Sequence, residues 1–218
     1  VIEAIRAAEA EASFDHILFY EPGMNTAGAS KAPIFPSPAT IGVSPDNLVY
    51  APHNYAESIG FKPGNPGFET TNDLLLALAE GFGVPLWIGE YGFWDTSDVT
   101  LERLNRYALY ADENFLGGAW WQWRQPCGDP HSFGWEGETT ITHFNRLKCP
   151  GDVELGPTEE FLRVLGRGYP RAAPGRLSNL RSEWRSGALD VRGTVDAAGG
   201  ILVVWSPTSS ESHEWFAD

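Results

Sequence analysis

Cysteine, methionine and basic residues are scarce in this chain. Its 218 residues include two Cys, one Met and 15 Lys and Arg. No apolar run approaches the ~20 residues of a membrane-spanning helix. Set against 29 Asp and Glu, the few basic residues leave a formal net charge of −14. That balance argues against a nucleic-acid partner, because phosphate binding needs a dense field of Lys and Arg. The chain opens Val1-Ile2-Glu3-Ala4-Ile5-Arg6, with no initiator Met and no charged-then-apolar leader. No signal peptide is therefore visible, although a mature or truncated chain would read the same way. Aromatic residues, by contrast, are plentiful at nine Trp, seven Tyr and 12 Phe. With 42% hydrophobic residues they supply a sizeable core and exclude intrinsic disorder. The length exceeds one average domain and falls short of the ~250 residues of a complete eightfold βα barrel.

Cys127 and Cys149 admit three readings. A disulfide closing their loop would suit an oxidising compartment and contribute roughly 3 kcal/mol. The pairs Cys127/His131 and His143/Cys149 could instead furnish four zinc ligands, although the tight C-x2-C spacing is absent. Two buried free thiols are the third reading.

Apolar runs and amphipathic segments alternate along the chain. Residues 1–12 predict a helix with Val1, Ile5, Ala8 and Ala12 on one face. Residues 16–20, 47–53, 85–90 and 117–123 predict buried strands, each ending in polar or aromatic chemistry. Residues 73–83, 101–114 and 157–168 predict helices. The strands recur at intervals near the ~31 residues per unit of an eightfold barrel, which indicates parallel βαβ units. A doubly wound sheet would fit the alternation too, but no phosphate-binding loop recommends it. Four strands would leave two barrel edges open, a poor free-standing structure. Beyond Tyr169–Gly175, residues 180–184, 188–195 and 200–205 predict the opening of an all-β domain, with too few strands to close a sandwich. Both ends of the chain thus read as cut.

The strand ends carry the chemistry. Glu90 closes Trp87-Ile88-Gly89-Glu90, and at the carboxyl end of a barrel strand such a residue faces the active-site rim. His53 and Tyr55 end the preceding strand and can hydrogen-bond and orient a carboxylate. Trp120 and Trp121 end the following one, where indole faces suit stacking on a sugar. Glu21, in Tyr20-Glu21-Pro22, could join a carboxylate pair of the kind that flanks a glycosidic bond, ~5 Å apart in retaining enzymes. Its place one unit before His53 favours a peripheral cleft role.

The order His53-Asn54-Tyr55, then Trp87-Ile88-Gly89-Glu90, then the run from Ala119 to His131 resembles glycoside hydrolase family five, and within it the secreted endoglycoceramidases. The tail Tyr169–Gly175 carries the same likeness. The resemblance implies a (β/α)8 barrel of which this chain holds only the fifth to eighth strands, as residues 1–175. A truncated β-sandwich domain follows as residues 176–218. It implies further that Glu90 is the catalytic nucleophile, that His53 and Tyr55 surround it, and that Trp121, with Trp120 as runner-up, is the platform beneath the sugar. Cys127 and Cys149 take the place of the family's disulfide. The family's Asn-Glu-Pro acid/base has no counterpart, and Glu21 does not inherit its role.

The resulting expectation is a secreted retaining endo-glycosidase that cleaves between oligosaccharide and ceramide in glycosphingolipids, with no metal and no cofactor. Its partners would be the glycolipid substrate, the missing N-terminal half of the barrel and, transiently, a lipid surface. Apolar residues Met24, Ile34, Phe35 and Ile41 in one loop, and Ile59 and Phe61 in another, are candidates to meet the lipid. An endo-glucanase, a glucosylceramidase-like hydrolase and an inactive sugar-binding fragment are the alternatives.

Overall fold

The computed structural model describes residues 1–21, 37–58, 64–93, 97–121 and 159–207. The chain forms two compact units, one of Val1–Thr100 with Leu116–Gly156 and one of Leu101–Phe115 with Pro157–Asp218.

In the first unit, helices and strands alternate as α1 (Ile2–Ala12), β1 (Leu18–Tyr20), β2 (Leu48–Tyr50), α2 (Phe68–Phe82), β3 (Trp87–Tyr91), the start of α3 (Asp98–Glu113) and β4 (Gly117–Trp120). Strand β1 pairs with β2 in parallel, Leu18 opposite Leu48 and Tyr20 opposite Tyr50. Strand β3 pairs with β4 in parallel, Trp87 opposite Gly117 and Tyr91 opposite Trp120. Parallel bridges between Tyr50 and Leu86 and between His53 and Glu90 join the two pairs. The spatial order therefore follows the sequence order, β1-β2-β3-β4, as in a barrel wall. A doubly wound sheet would reverse direction at a switch point. The wall is apolar where it is packed: Leu48, Tyr50, Phe68, Leu75 and Ile88 are almost wholly buried.

The elements begin where local chemistry starts them. Helix α2 starts at Phe68, ahead of the expected residue 73, because Thr71 and Asn72 turn inward. Phe68, Thr71 and Asn72 are all buried, and the Thr71 hydroxyl donates to the Gly67 carbonyl at 3.0 Å. Helix α3 starts at Asp98 rather than 101, since the Ser97 hydroxyl accepts from the Thr100 amide at 3.3 Å. Strand β2 ends at Tyr50 and reaches His53 only through the single bridge to Glu90. Strand β4 stops at Trp120, with Trp121 in the turn that follows.

The apolar stripe expected on α1 is not its packed face. Glu9 is the buried residue, while Val1 and Ile5 are exposed. Arg6 and Glu9 organise that face: Arg6 donates to the carbonyls of His16, Asp46 and Asn47, and Glu9 accepts from the His16 amide. Charged groups with several partners each replace the apolar contacts that spacing alone suggested.

The second unit holds the end of α3 with α4 (Glu159–Leu165), β5 (Tyr169–Ala172), β6 (Gly175–Glu183), β7 (Ala188–Val195) and β8 (Val203–Trp205). Strands β6 and β7 form an antiparallel hairpin, with Gly187 in a left-handed conformation at its turn. Strands β5 and β8 pair antiparallel. No sandwich is closed among the described residues. Leu104, Tyr107, Phe161 and Val164 form this unit's core. At its edge the buried Asp112 carboxylate accepts from the Arg167 guanidinium at 2.6 Å and from the Ser182 amide at 3.1 Å.

Candidate active site

The site lies where β2, its continuation through residues 51–55, and β3 run side by side. Three backbone bonds hold this stretch in place. The Ala51 amide donates to Tyr20 O at 2.9 Å, the Gly89 amide to Pro52 O at 2.8 Å, and the Asn54 amide to Glu90 O at 2.8 Å. Extended backbone sends alternate side chains to opposite faces. His53 and Tyr55 accordingly turn toward Glu90, while Asn54 turns toward α2.

Both aromatic side chains converge on one carboxylate oxygen. The Tyr55 hydroxyl donates to Glu90 Oε2 at 2.8 Å. His53 Nδ1 lies 3.2 Å from that same oxygen, and His53 Nε2 lies 3.2 Å from Glu21 Oε1. The two rings meet edge-on with centroids 6.4 Å apart. The Glu90 side chain keeps 27% of its surface exposed, so the carboxylate is held and still reachable. Tyr55 is buried. Burial, then the bond to Glu90 and its charge, push the Tyr55 phenol far above its ordinary range. It is a fixed neutral donor.

Glu21, expected as a peripheral cleft residue, keeps about half its side chain exposed and lies against the far edge of the His53 ring. The imidazole stands between the two carboxylates. Glu21 and Glu90 thus contact opposite nitrogens of one ring rather than each other.

Strand β4 brings the indoles alongside. The Trp121 amide donates to Tyr91 O at 2.7 Å, one residue past Glu90. The Trp120 ring packs on Tyr91 at 5.5 Å and on Phe93 at 6.2 Å, so much of its surface is taken up by the protein. Trp121 is half-buried.

Two contributors escaped the sequence reading. Asn54 is buried, and its amide donates to Asn72 Oδ1 at 2.6 Å and to Phe68 O at 3.2 Å. Its own carbonyl oxygen accepts from the Ala56 amide at 3.0 Å. Gly89 is the other. A Cβ there would lie 2.6 Å from Ala51 O and 3.0 Å from His53 Cδ2, so only glycine lets β2 and β3 approach at the site. The alternation of functional and buried positions through His53-Asn54-Tyr55 was the available signal for Asn54.

Cys127, Cys149 and the zinc-ligand histidines considered with them lie outside the described residues, as do Met24, Ile34, Phe35, Ile59 and Phe61. Of the candidate lipid-facing residues, Ile41 is described and is 37% exposed. Among the described residues, no group of three or more His, Cys, Asp and Glu could hold a metal ion, and no helix is long and apolar enough to cross a membrane.

Comparison with known proteins adds three findings. The family model described as Cellulase (glycosyl hydrolase family 5) matches residues 1–126. The solved structure of an endogalactoceramidase is 34% identical with a TM-score of 0.70, over 82% of this chain and 38% of that one. Endo-glycoceramidase II from Rhodococcus sp., in its cellobiose-like imidazole complex, is 16% identical with a TM-score of 0.50, over 94% of this chain and 53% of that one. At that identity the second likeness speaks for the fold alone. The chain thus spans well under two thirds of either relative's length. No curated protein matches.

Proposed function

The chain belongs to glycosyl hydrolase family 5, and from that premise we propose that Glu90 is the nucleophile of a retaining β-glycosidase that releases oligosaccharide from ceramide. Membership carries the (β/α)8 barrel with it, and β1 to β4 are consecutive parallel strands of such a wall. We take them as the barrel's fifth to eighth strands within residues 1–175, with residues 176–218 opening a β-sandwich.

One observation carries the mechanism. The Glu90 carboxylate is exposed on one side and held on the other by Tyr55 Oη at 2.8 Å and His53 Nδ1 at 3.2 Å. In the reading, a free Glu90 oxygen attacks the anomeric carbon, and the bond to the ceramide oxygen breaks as a carboxylic acid protonates it. In this reading that acid comes from outside this chain, because the family's Asn-Glu-Pro acid/base has no counterpart in it. The same acid, now a carboxylate, activates water, and water releases the sugar from Glu90. Trp121, with Trp120 beside it, is the stacking surface for the sugar. No cofactor takes part. The ceramide specificity is supported by the likeness to an endogalactoceramidase. Secretion and a Cys127–Cys149 disulfide complete the proposal.

The test uses the intact enzyme. A 2-deoxy-2-fluoro-β-glycoside should label Glu90 covalently, as peptide mass mapping would show, and Glu90→Gln should lose at least ~10³-fold in kcat. A label on another residue, or near-normal turnover in Glu90→Gln, would sink the assignment. Release of intact oligosaccharide from glycosphingolipid, without cleavage of cellulose, is the expected substrate outcome. The reverse preference makes the protein an endo-glucanase, and binding of sugar without turnover makes it a lectin-like fragment.

A further inference from the structure

Strands β3 and β4 do not run in step. Ile88 stands opposite Gly118 and Tyr91 opposite Trp120, so three steps along β3 match two along β4. An irregularity of this kind re-aims the side chains around it. Here it falls at Gly89 and Glu90, and it brings Gly92 level with Trp121.

Gly92 is buried, and the Trp121 backbone occupies the place its side chain would take. A Cβ on Gly92 would overlap the Trp121 carbonyl oxygen and lie 3.0 Å from the carbonyl carbon. Both are main-chain atoms, so neither can swing aside as the end of a side chain does. The Trp121 amide donates to Tyr91 O at 2.7 Å, which ties Trp121 to β3 one residue before the glycine. Gly92 is not among the glycines of positive φ. The demand for glycine here is steric, not conformational.

Ring contacts show which groups this approach serves. Trp120 packs on both Tyr91 and Phe93, so those two side chains share a face. Alternation gives Glu90 and Gly92 the other face. The carboxylate and the glycine that admits Trp121 are thus two residues apart on the same side of the chain.

We propose that Gly92 is a positioning residue for sugar binding: having no side chain, it lets Trp121 close on β3 and sets how far the indole stands from Glu90. This rests on the reading of Trp121 as the stacking surface for the sugar. Gly92 touches no reacting atom and acts through the Trp121 backbone.

A double-mutant cycle on the intact enzyme tests this, read as the second-order rate constant for labelling by a 2-deoxy-2-fluoro-β-glycoside. Gly92→Ala should lower that constant about ten- to hundredfold, since a misplacement near 1 Å can cost up to ~10²-fold. The loss should appear in the half-saturating concentration, with the limiting rate held within about threefold, the pattern of lost binding rather than lost chemistry. Trp121→Ala should lower the constant by a similar factor. Adding Gly92→Ala to Trp121→Ala should then change it less than about twofold, because the two residues act as one unit. Gly118→Ala would set its methyl against the Tyr91 ring and Ile88 O, and it controls for strain between the same two strands.

Equal losses from Gly92→Ala with and without Trp121 would overturn the proposal. So would a comparable loss in Gly118→Ala, or a Gly92→Ala protein that no longer folds by circular dichroism. Normal labelling of Trp121→Ala would remove the stacking reading and this proposal with it. If the protein binds sugar without cleaving it, lactose affinity by calorimetry gives the same cycle, and absence of both labelling and binding counts against the proposal. The rate is measured whichever residue takes the label, so failure of Glu90 as nucleophile would be seen separately on the peptide map.

Discussion

The Asn54 amide donates to the Glu90 carbonyl at 2.8 Å, so the segment carrying His53 and Tyr55 is fastened to β3 at the residue those side chains serve. The Asn54 side chain then ties the same point to α2 through Asn72 and Phe68. Replacing Asn54 with Ala removes the buried partner that Asn72 Oδ1 and the Ala56 amide have in it. The expected cost is about 2–4 kcal/mol by denaturant titration, because abandoned buried groups forfeit their desolvation. Activity should fall further than stability predicts, as Tyr55 loses its anchor.

Tyr55→Phe removes a single oxygen. A hydrogen bond to a charged group contributes about 1.5–3 kcal/mol, so kcat should fall roughly ten- to hundredfold while the melting temperature changes little. The Tyr55 phenol is held protonated by burial and by Glu90, so its ionisation should not limit the alkaline side of the wild-type pH–rate profile. An alkaline limb that disappears in Tyr55→Phe would contradict this.

Gly89→Ala probes the approach of two strands. Its new methyl meets Ala51 O at 2.6 Å and the His53 ring at 3.0 Å, and backbone cannot yield as a flexible side chain does. Overpacking of this kind costs about 1–3 kcal/mol. Because the displaced atoms belong to the segment that bears His53, kcat should drop at least tenfold in protein that remains folded by circular dichroism.

Tyr20 and Tyr50 stack in the wall with ring centroids 5.5 Å apart, and burial pushes each phenol up to about 12. In the unfolded chain both would ionise near the ordinary value of ~10. Between these values the unfolded state releases protons that the folded state keeps. Stability is therefore fully present below about pH 10 and is lost as pH rises toward 12. Tyr50→Phe should flatten that decline, measured as the denaturation midpoint against pH. It should also stabilise the protein by about 1 kcal/mol near neutrality, because the buried Tyr50 hydroxyl has no hydrogen-bond partner among the described residues.

The wall and the carboxylate cluster were legible for different reasons. Leu48 and Ile88 stand in continuous apolar runs, and runs of that kind at barrel spacing declare buried parallel strands. His53, Tyr55 and Glu90 fall at the ends of those runs, where a barrel gathers its chemistry, so their neighbourhood could be read from position, while their meeting on one oxygen could not. The start of α2 was not legible, because Thr71 and Asn72 read as loop residues until partners across the fold account for their burial. The packed face of α1 misled for the complementary reason. Its salt-bridged Glu9 is buried, and hydropathy cannot see a partner forty residues away such as the carbonyls that Arg6 reaches. Glu21 lay in plain view, but its contact with the His53 ring depends on the backbone bond from Ala51 to Tyr20, which the sequence does not display.

The alternation through His53, Asn54 and Tyr55 sets a rule for insertions and deletions. Loops leaving the strand ends can lengthen or shrink without touching the reaction centre. Between Ala51 and Ala56 the chain tolerates no odd change in length. Adding or removing one residue would turn the asparagine outward to the sugar and drive an imidazole or a phenol into the packing against α2. Homologues that keep this chemistry should therefore vary in every surrounding loop while this six-residue stretch holds its count.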